Sequence, residues 1–263
     1  MCDCIALLTD FGMADPYAGV VKGVLLSVNP GLKLIDITHE IGPQDVHQAA
    51  FVLGESYNFM PPGTIFLAVV DPGVGTSRRG IILEAGGYTF VAPDNGLLTL
   101  PMLFEKDWRC VEIRNSDYFL KPVSSTFHAR DVFAPVAAYL AAGKALESFG
   151  PAVSDPVRLE FPRPKEMDGK IRGEVIYVDR FGNLITNIPR ELLERAGGQI
   201  VRIKGTSLPF VVTYGDVEPG RAAALVGSSN LLEIAVNQGR AVDLLNAAIG
   251  ETVDIIPLTS GYL

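Results

Sequence analysis

The sequence predicts an α/β N-terminal domain with a mostly parallel sheet, followed by a smaller β-rich domain. Three observations lead there. Strand-like and helix-like apolar segments alternate from the start of the chain. A proline-rich stretch interrupts the chain past its middle. Short strand-like runs with turn residues between them fill most of the remaining chain. With 263 residues, 48% apolar and 20% charged, the chain is long enough for two domains and too apolar for disorder.

CIALLTDFG reads as a strand ending in a polar turn. AGVVKGVLLSVNPG has helical spacing, with Asn29-Pro30-Gly31 as the stop. LKLIDIT is a second strand, DVHQAAFVLGESYNFM a second helix ended at Pro61-Pro62-Gly63, and TIFLAVVD a third strand. In GIILEAGGYTFVAPDNG two strands flank Gly86-Gly87, which predicts a hairpin. RDVFAPVAAYLAAGKAL predicts a helix with an alanine-rich face. Pro151, Pro156, Pro162 and Pro164 then mark a boundary, and we divide the chain into residues 1–160 and 161–263. Beyond it, GKIRGEVIYVD, QIVRIKG, LPFVVTYGD, AAALVGSSN, LLEIAVN and ETVDIIPL read as strands, and only PRELLERAG and AVDLLNAAIG as helices. That pattern fits a barrel or a sandwich.

Composition narrows the function. A net charge of −8 argues against a nucleic-acid partner, which would favour a basic face. No apolar run reaches the ~18 residues that a membrane helix needs. The N-terminus has no basic flank and no leader-like pattern, so the expectation is a cytoplasmic protein. Cys2, Cys4 and Cys110 form no Cys-x-x-Cys pair, which disfavours a zinc ribbon or a disulfide framework.

In parallel sheets, ligands collect beyond the carboxyl ends of the strands. Here those ends are acidic or polar: Asp10 after the first, Asp36 to Glu40 after the second, Asp71 after the third, and Asp94-Asn95 after the hairpin. Helix capping is the alternative use for such residues. The stretch VVDPGVGTSRR, residues 69 to 79, ends a buried-looking strand on a carboxylate and then bends to deliver arginines. It lacks Gly-Lys-Ser/Thr and a third glycine, so it is neither a P-loop nor a dinucleotide loop. Asp36, His39, Glu40, Asp45 and His47 supply ligand types for a metal, but Pro43 and their spacing disfavour a site. SSTFHARD places His128 before a helix. DRFGNLITN and GSSNLLEIAVN concentrate amides, hydroxyls and glycines, and Phe181 offers a ring to pack on a heterocycle.

Seven motifs occur in order from residue 9 to 237: TDFG, DITHEI, VVDPGVGTSRR, APDNG, STFHARD, DRFGNLITN and GSSNLLEIAVN. Together they resemble the S-adenosyl-L-methionine hydroxide adenosyltransferases, hydrolytic relatives of the SAM-dependent fluorinase and chlorinase. The resemblance implies an N-terminal α/β domain, a C-terminal β-barrel-like domain and a homotrimer with active sites between subunits. It implies hydrolysis of S-adenosyl-L-methionine to adenosine and L-methionine, with no cofactor and no metal. The family's Asp, Arg and His map to Asp71, Arg78 and His128, with Arg79 left as a second candidate for the arginine. Asp10 is implied to bind the ribose hydroxyls and Asn95 to lie near the ribose or the nucleophile. Asp179, Ser228 and Ser229 are implied to hold the methionine end. Phe181, Asn183, Val236 and Asn237 are implied to face the adenine, and Glu233 belongs to the same substrate-binding set. The halogenases carry a tyrosine where Asp71 stands, and a carboxylate there repels a halide. Ala129 replaces an expected glycine beside His128, and Gln44 stands where the halogenases carry a tryptophan. Three competing readings remain: a nucleoside-binding module with little turnover, which Ala129 would permit; a metal-dependent hydrolase using the Asp36–His47 cluster; and a halogenase, which Asp71 and His128 disfavour.

Overall fold

The computed structural model describes residues 3–167, 169–196 and 199–257. The chain forms two compact units that part between Leu159 and Glu160.

The first unit is built on β1 (Cys4–Thr9), β2 (Lys33–Thr38), β3 (Ile65–Val69), β4 (Gly80–Ala85), β5 (Tyr88–Pro93) and β6 (Trp108–Glu112). Their order in the sheet is β2-β1-β3-β5-β4-β6. β2, β1, β3 and β5 run parallel, while β4 lies antiparallel to β5 and β6. Helices α1 (Tyr17–Val28), α2 (Val46–Ser56), α3 (Thr99–Phe104) and α4 (Ala134–Ala141) complete the unit. β1 shows why its sequence is apolar throughout. Ile5 and Leu7 enter a core with α1 and α4, while Ala6 and Leu8 enter a second core with α2 and α3. Both faces of the sheet are covered, so neither register position is polar.

Gly86 and Gly87 make the expected hairpin, both with positive φ (58° and 81°), as a two-residue turn between twisted strands requires. The alanine-rich helix differs from its prediction. It opens with a π-helical turn, Ala129–Phe133, and turns regular only at Ala134. Pro135 has no N–H to give the Asp131 carbonyl, which instead accepts the N–H of Leu120 at 2.9 Å. The short helix α3 and the edge strand β6 were not expected from the sequence.

The second unit holds β7 (Lys165–Met167), β8 (Lys170–Val178), β9 (Leu184–Pro189), β10 (Gln199–Ile203), β11 (Thr206–Leu208), β12 (Ala222–Val226), β13 (Leu231–Val236) and β14 (Thr252–Pro257). Seven of them follow the order β11-β10-β14-β8-β9-β13-β12, and β7 pairs with β8. The ends approach each other: Ala224 donates to the Pro209 carbonyl at 2.9 Å and accepts from Val211 N–H at 2.8 Å. The sheet is therefore a nearly closed barrel and not a sandwich. The predicted strand LPFVVTYGD is mostly irregular. Beyond Leu208 it keeps one bridge, Phe210 to Ala224, and a 3-10 turn at Tyr214–Asp216. α5 (Arg190–Ala196) and the single turn α6 (Ala241–Leu244) are the helices here. Among the described residues, no helix is long and apolar enough to cross a membrane.

Candidate active site

β3 carries the chain through the sheet to Asp71, one residue beyond Val70, which is fully buried. The Pro-Gly-Val-Gly turn then folds the chain back. Gly75 has φ of 77°, and a Cβ there would run into the Ser125 carbonyl oxygen. The turn thus packs directly on the segment that leads to His128, and glycine is the residue that permits both features.

The turn returns Arg78 over the strand end. Its Nε donates to Asp71 Oδ1 at 2.9 Å and Oδ2 at 3.0 Å, and Nη2 donates to Oδ2 as well. Nη2 also lies 3.1 Å from His128 Nδ1. The guanidinium carbon sits 5.0 Å from the centre of the buried Phe133 ring, a cation–π contact that holds the plane of the fork. Side-chain exposure is 13% for Arg78 and 7% for Asp71, so water screens the pair weakly. Burial, reinforced by the Arg78 charge, pushes the His128 pKa below its usual value. Phe133 was missed from sequence, because nothing in its helical context marks a ring that supports an arginine far upstream.

Arg79 takes a different course. It donates to Asp94 Oδ2 at 2.7 Å and to Asp155 Oδ1 at 2.9 Å. The structure therefore assigns Arg78, and not Arg79, to the Asp71–His128 cluster.

Asp71 and His128 line a cleft of about 180 Å³ with Asp10, Phe11, Gln44, Val74, Phe127 and Ala129. Asp10 Oδ2 accepts the Gln44 N–H at 2.8 Å, and Gln44 adopts φ of 65° to present it. Phe11, Tyr17 and Phe127 pack edge to face beside it, with centroids 5.3–6.1 Å apart. Neither Asp10 nor Asp71 caps a helix; Asp45 does, at α2. Ala129 is 4% exposed and packs into the core as well as lining the cleft. Asn95 does not line it. Its Nδ2 donates to the Val70 carbonyl at 2.8 Å and its Oδ1 accepts the Leu97 N–H at 3.2 Å, so it fixes the strand end that carries Asp71.

Two of the residues weighed as metal ligands in the Asp36–His47 stretch pair with side chains instead. Asp36 pairs with Lys22 and His39. Among the described residues, no group of three or more His, Cys, Asp or Glu is arranged to hold a metal ion.

The second unit gathers its candidates around β8, β9 and β13. Asp179 accepts both the N–H of Asn183 at 2.8 Å and its Nδ2 at 3.0 Å, closing the turn after β8. Asn183 is buried by that bond, while Phe181 stands 74% exposed at the tip. Glu233 is buried on β13 and accepts the Tyr214 hydroxyl proton at 2.8 Å. Burial raises its pKa, the Tyr214 hydrogen bond lowers it, and the nearby Asp179 charge adds to the rise. Ser228 and Ser229 lie in the turn before β13, and Val236 and Asn237 at its far end, a strand's length away. Asn237 Nδ2 donates to the Val217 carbonyl at 2.6 Å. β13 runs antiparallel to β9, with Leu184 opposite Ile234 and Pro189 opposite Leu231, so the Asp179–Asn183 turn lies toward the Val236–Asn237 end of β13 and the Ser228–Ser229 turn at the other end. Tyr214 was not singled out from sequence, since its segment reads as a strand.

The chain is similar to known proteins along most of its length. Residues 5–150 match the N-terminal domain of the SAM hydroxide adenosyltransferases and residues 173–254 match their C-terminal domain. An (R)-S-adenosyl-L-methionine hydrolase from Thermus thermophilus is 41% identical over 259 residues, covering 96% of this chain and 99% of the relative. A fluorinase from Actinoplanes is 30% identical over 287 residues, covering 95% and 96%. A crystal structure of an uncharacterized conserved protein from Thermotoga maritima superposes with a TM-score of 0.91 at 40% identity, covering 95% of this chain and 99% of that one. Two domain matches that span most of the sequence, and a whole-length relative at 41% identity, place this chain in the SAM hydroxide adenosyltransferase family.

Proposed function

We propose that the protein hydrolyses S-adenosyl-L-methionine to adenosine and L-methionine. The observation that carries this reading is the Arg78 fork, held between Asp71 and His128 at the edge of the cleft that Asp10 also lines. Whole-length similarity to named SAM hydrolases supports it.

The chemistry asks little of the protein. A sulfonium leaves as a neutral thioether, so the leaving group needs no proton, no metal and no other cofactor. One water must be stripped, placed in line with the C5′–S bond and polarised. Its oxygen forms the bond to C5′, the C5′–S pair departs with sulfur, and one proton is released. Among the described residues, Asp71 Oδ1 accepts only the Nε–H of Arg78, which leaves it a lone pair for a water proton. Arg78 fixes the orientation of that carboxylate through the fork, and its positive charge favours hydroxide character in the nucleophile. His128, neutral and accepting at Nδ1, presents Nε2–H as a donor. Asp10 binds the ribose hydroxyls. The Asp179–Asn183 turn, Ser228, Ser229 and Glu233 bind the rest of the substrate together with Phe181, Val236 and Asn237. The active form is a homotrimer whose sites lie between subunits, and it works in the cytoplasm, which suits a chain with few cysteines.

The test is incubation with S-adenosyl-L-methionine, with and without EDTA and with excess chloride, followed by chromatography. Adenosine and methionine are expected in every condition. A chlorinated nucleoside, loss of activity on chelation, or tight adenosine binding without turnover would each overturn the reading. Asp71→Ala, Arg78→Ala and His128→Ala should each lower kcat far more than they raise KM; wild-type rates would remove the triad. Sedimentation during turnover should find the activity in the trimer, and a fully active monomer would remove the shared site.

A further inference from the structure

A hydrogen-bonded chain runs from buried Thr9 and His39 out to the partly exposed Asp36 and Lys22, and the proposed reaction does not use it. His39 is 4% exposed and Thr9 1%. His39 Nδ1 lies 2.8 Å from Thr9 Oγ1, and Nε2 lies 3.1 Å from Asp36 Oδ1. Asp36 Oδ2 in turn accepts from Lys22 Nζ at 2.6 Å. The direction of the bonds is set by what each group can do. The Asp36 carboxylate only accepts, so Nε2 carries a proton. In the neutral ring Nδ1 then accepts, and the Thr9 hydroxyl donates to it. Thr9 Oγ1 also accepts the Phe11 N–H at 3.3 Å.

The Thr9–His39 end of this chain grips the segments on either side of Asp10. Thr9 directly precedes it in sequence. The His39 carbonyl accepts the Gly12 N–H at 2.7 Å, and Ile41 N–H donates to the Thr9 carbonyl at 3.4 Å. The 39–44 segment thereby pins the 9–12 loop by its backbone and, through Gln44 N–H, by the Asp10 carboxylate itself. Buried polar groups satisfied in this way allow one geometry and penalise its neighbours.

We propose that the Thr9–His39–Asp36–Lys22 chain is a positioning device that aims the Asp10 carboxylate at the hydroxyls of a ribose. It thereby sets the preference of the site for ribonucleosides over deoxyribonucleosides. The proposal rests on the reading of Asp10 as the ribose ligand. His39 and Thr9 are positioning residues, since neither lines the cleft.

The experiment measures inhibition of S-adenosyl-L-methionine hydrolysis by adenosine, 2′-deoxyadenosine and 3′-deoxyadenosine. The readout is the ratio of deoxy to ribo inhibition constants, alongside KM and kcat. Thr9→Val keeps the side-chain shape and removes the hydroxyl. It should raise KM about tenfold, leave kcat within about twofold, and collapse the deoxy-to-ribo ratio. Thr9→Ser restores the hydroxyl and should restore the ratio. Asp36 has a side chain 40% exposed, so Asp36→Ala leaves the core intact and serves the same purpose if Thr9→Val does not fold. Asp10→Ala is the control. If it collapses the ratio while Thr9→Val and Asp36→Ala keep the wild-type value, the positioning role is wrong and the ribose reading stands. If Asp10→Ala itself leaves the ratio unchanged, the ribose reading is wrong and the positioning role falls with it.

Discussion

Arg78 donates through Nη2 to Nδ1 of His128 at 3.1 Å, and a guanidinium can only donate. That bond forces His128 to accept at Nδ1 and to carry its proton on Nε2. Protonating the ring would set two donors against each other, beside a positive charge. Burial and the Arg78 charge both depress the pKa, and they outweigh the pull of Asp71 and Asp131. His128 therefore stays neutral to lower pH than a free histidine, whose usual value is 6.5. The expected profile of kcat/KM is flat on the alkaline side of pH 6.5 and falls with acid below it, and a pH–rate measurement checks this. The sign for stability is the same. The unfolded chain takes the proton first as pH falls, so the folded state loses stability below pH 6.5. An acid limb centred above 6.5 would contradict the Arg78–His128 bond.

Arg78→Lys keeps the charge and loses the fork. An ammonium cannot span both Asp71 oxygens and still reach His128 Nδ1 from the same flat group. The expected result is a drop in kcat of about 10²-fold, the size seen when one organised donor is lost, with KM much less affected. Steady-state kinetics decides it, and a lysine variant at wild-type rate would mean that charge alone suffices.

Much of this site was readable because strand ends in a parallel sheet carry the polar groups. Asp10 and Asp71 stand at such ends, and both line the cleft. Arg78 and Arg79 were not separable, since both sit in an irregular stretch and spacing alone favoured Arg78 only weakly. Side chains of neighbours in extended chain diverge, and here one turns to Asp71 while the other turns to Asp94 and Asp155. β6 escaped notice because WRCVE is short and its partners, β4 and the bridge to Ala152, are distant in sequence. The irregular course of residues 209–217 was hidden by good strand formers such as Phe210 and Val212, whose propensity tertiary context overrides. The π-helical turn depends on where the Asp131 carbonyl finds a partner, and Leu120 is too far along the chain for any local pattern to show it.

Gly75→Ala tests the turn. The φ of 77° disfavours a side chain, and the Ser125 carbonyl is backbone that cannot swing aside. The expected loss is about 1–3 kcal/mol of stability, as for other overpacked sites. Because the turn and the 125–128 segment must part, Arg78 and His128 must part as well, so kcat should fall with the Tm. Thermal unfolding and kinetics on the same sample check both. A folded Gly75→Ala with full kcat would show that the turn does not set the distance between those residues.

Glu55 supplies a test that leaves the cleft alone. It sits near the end of α2, and burial alone raises its pKa from 4.5 to about 7. Among the described residues no basic side chain pairs with it in an ion pair. Below pH 4.5 both states hold the proton and the carboxyl is neutral. Between pH 4.5 and about 7 the folded protein still holds a proton that the unfolded chain has released, so stability falls as pH rises through that window. Above pH 7 the folded state carries a poorly solvated carboxylate and the whole cost is present. Glu55→Gln removes the charge and keeps the shape. It should stabilise the protein by on the order of 1–2 kcal/mol on the alkaline side, after solvent screening is allowed for, and have no effect at acid pH. Denaturant unfolding of both proteins across this range checks the sign, and a gain of equal size at acid pH would show that packing, not charge, is responsible.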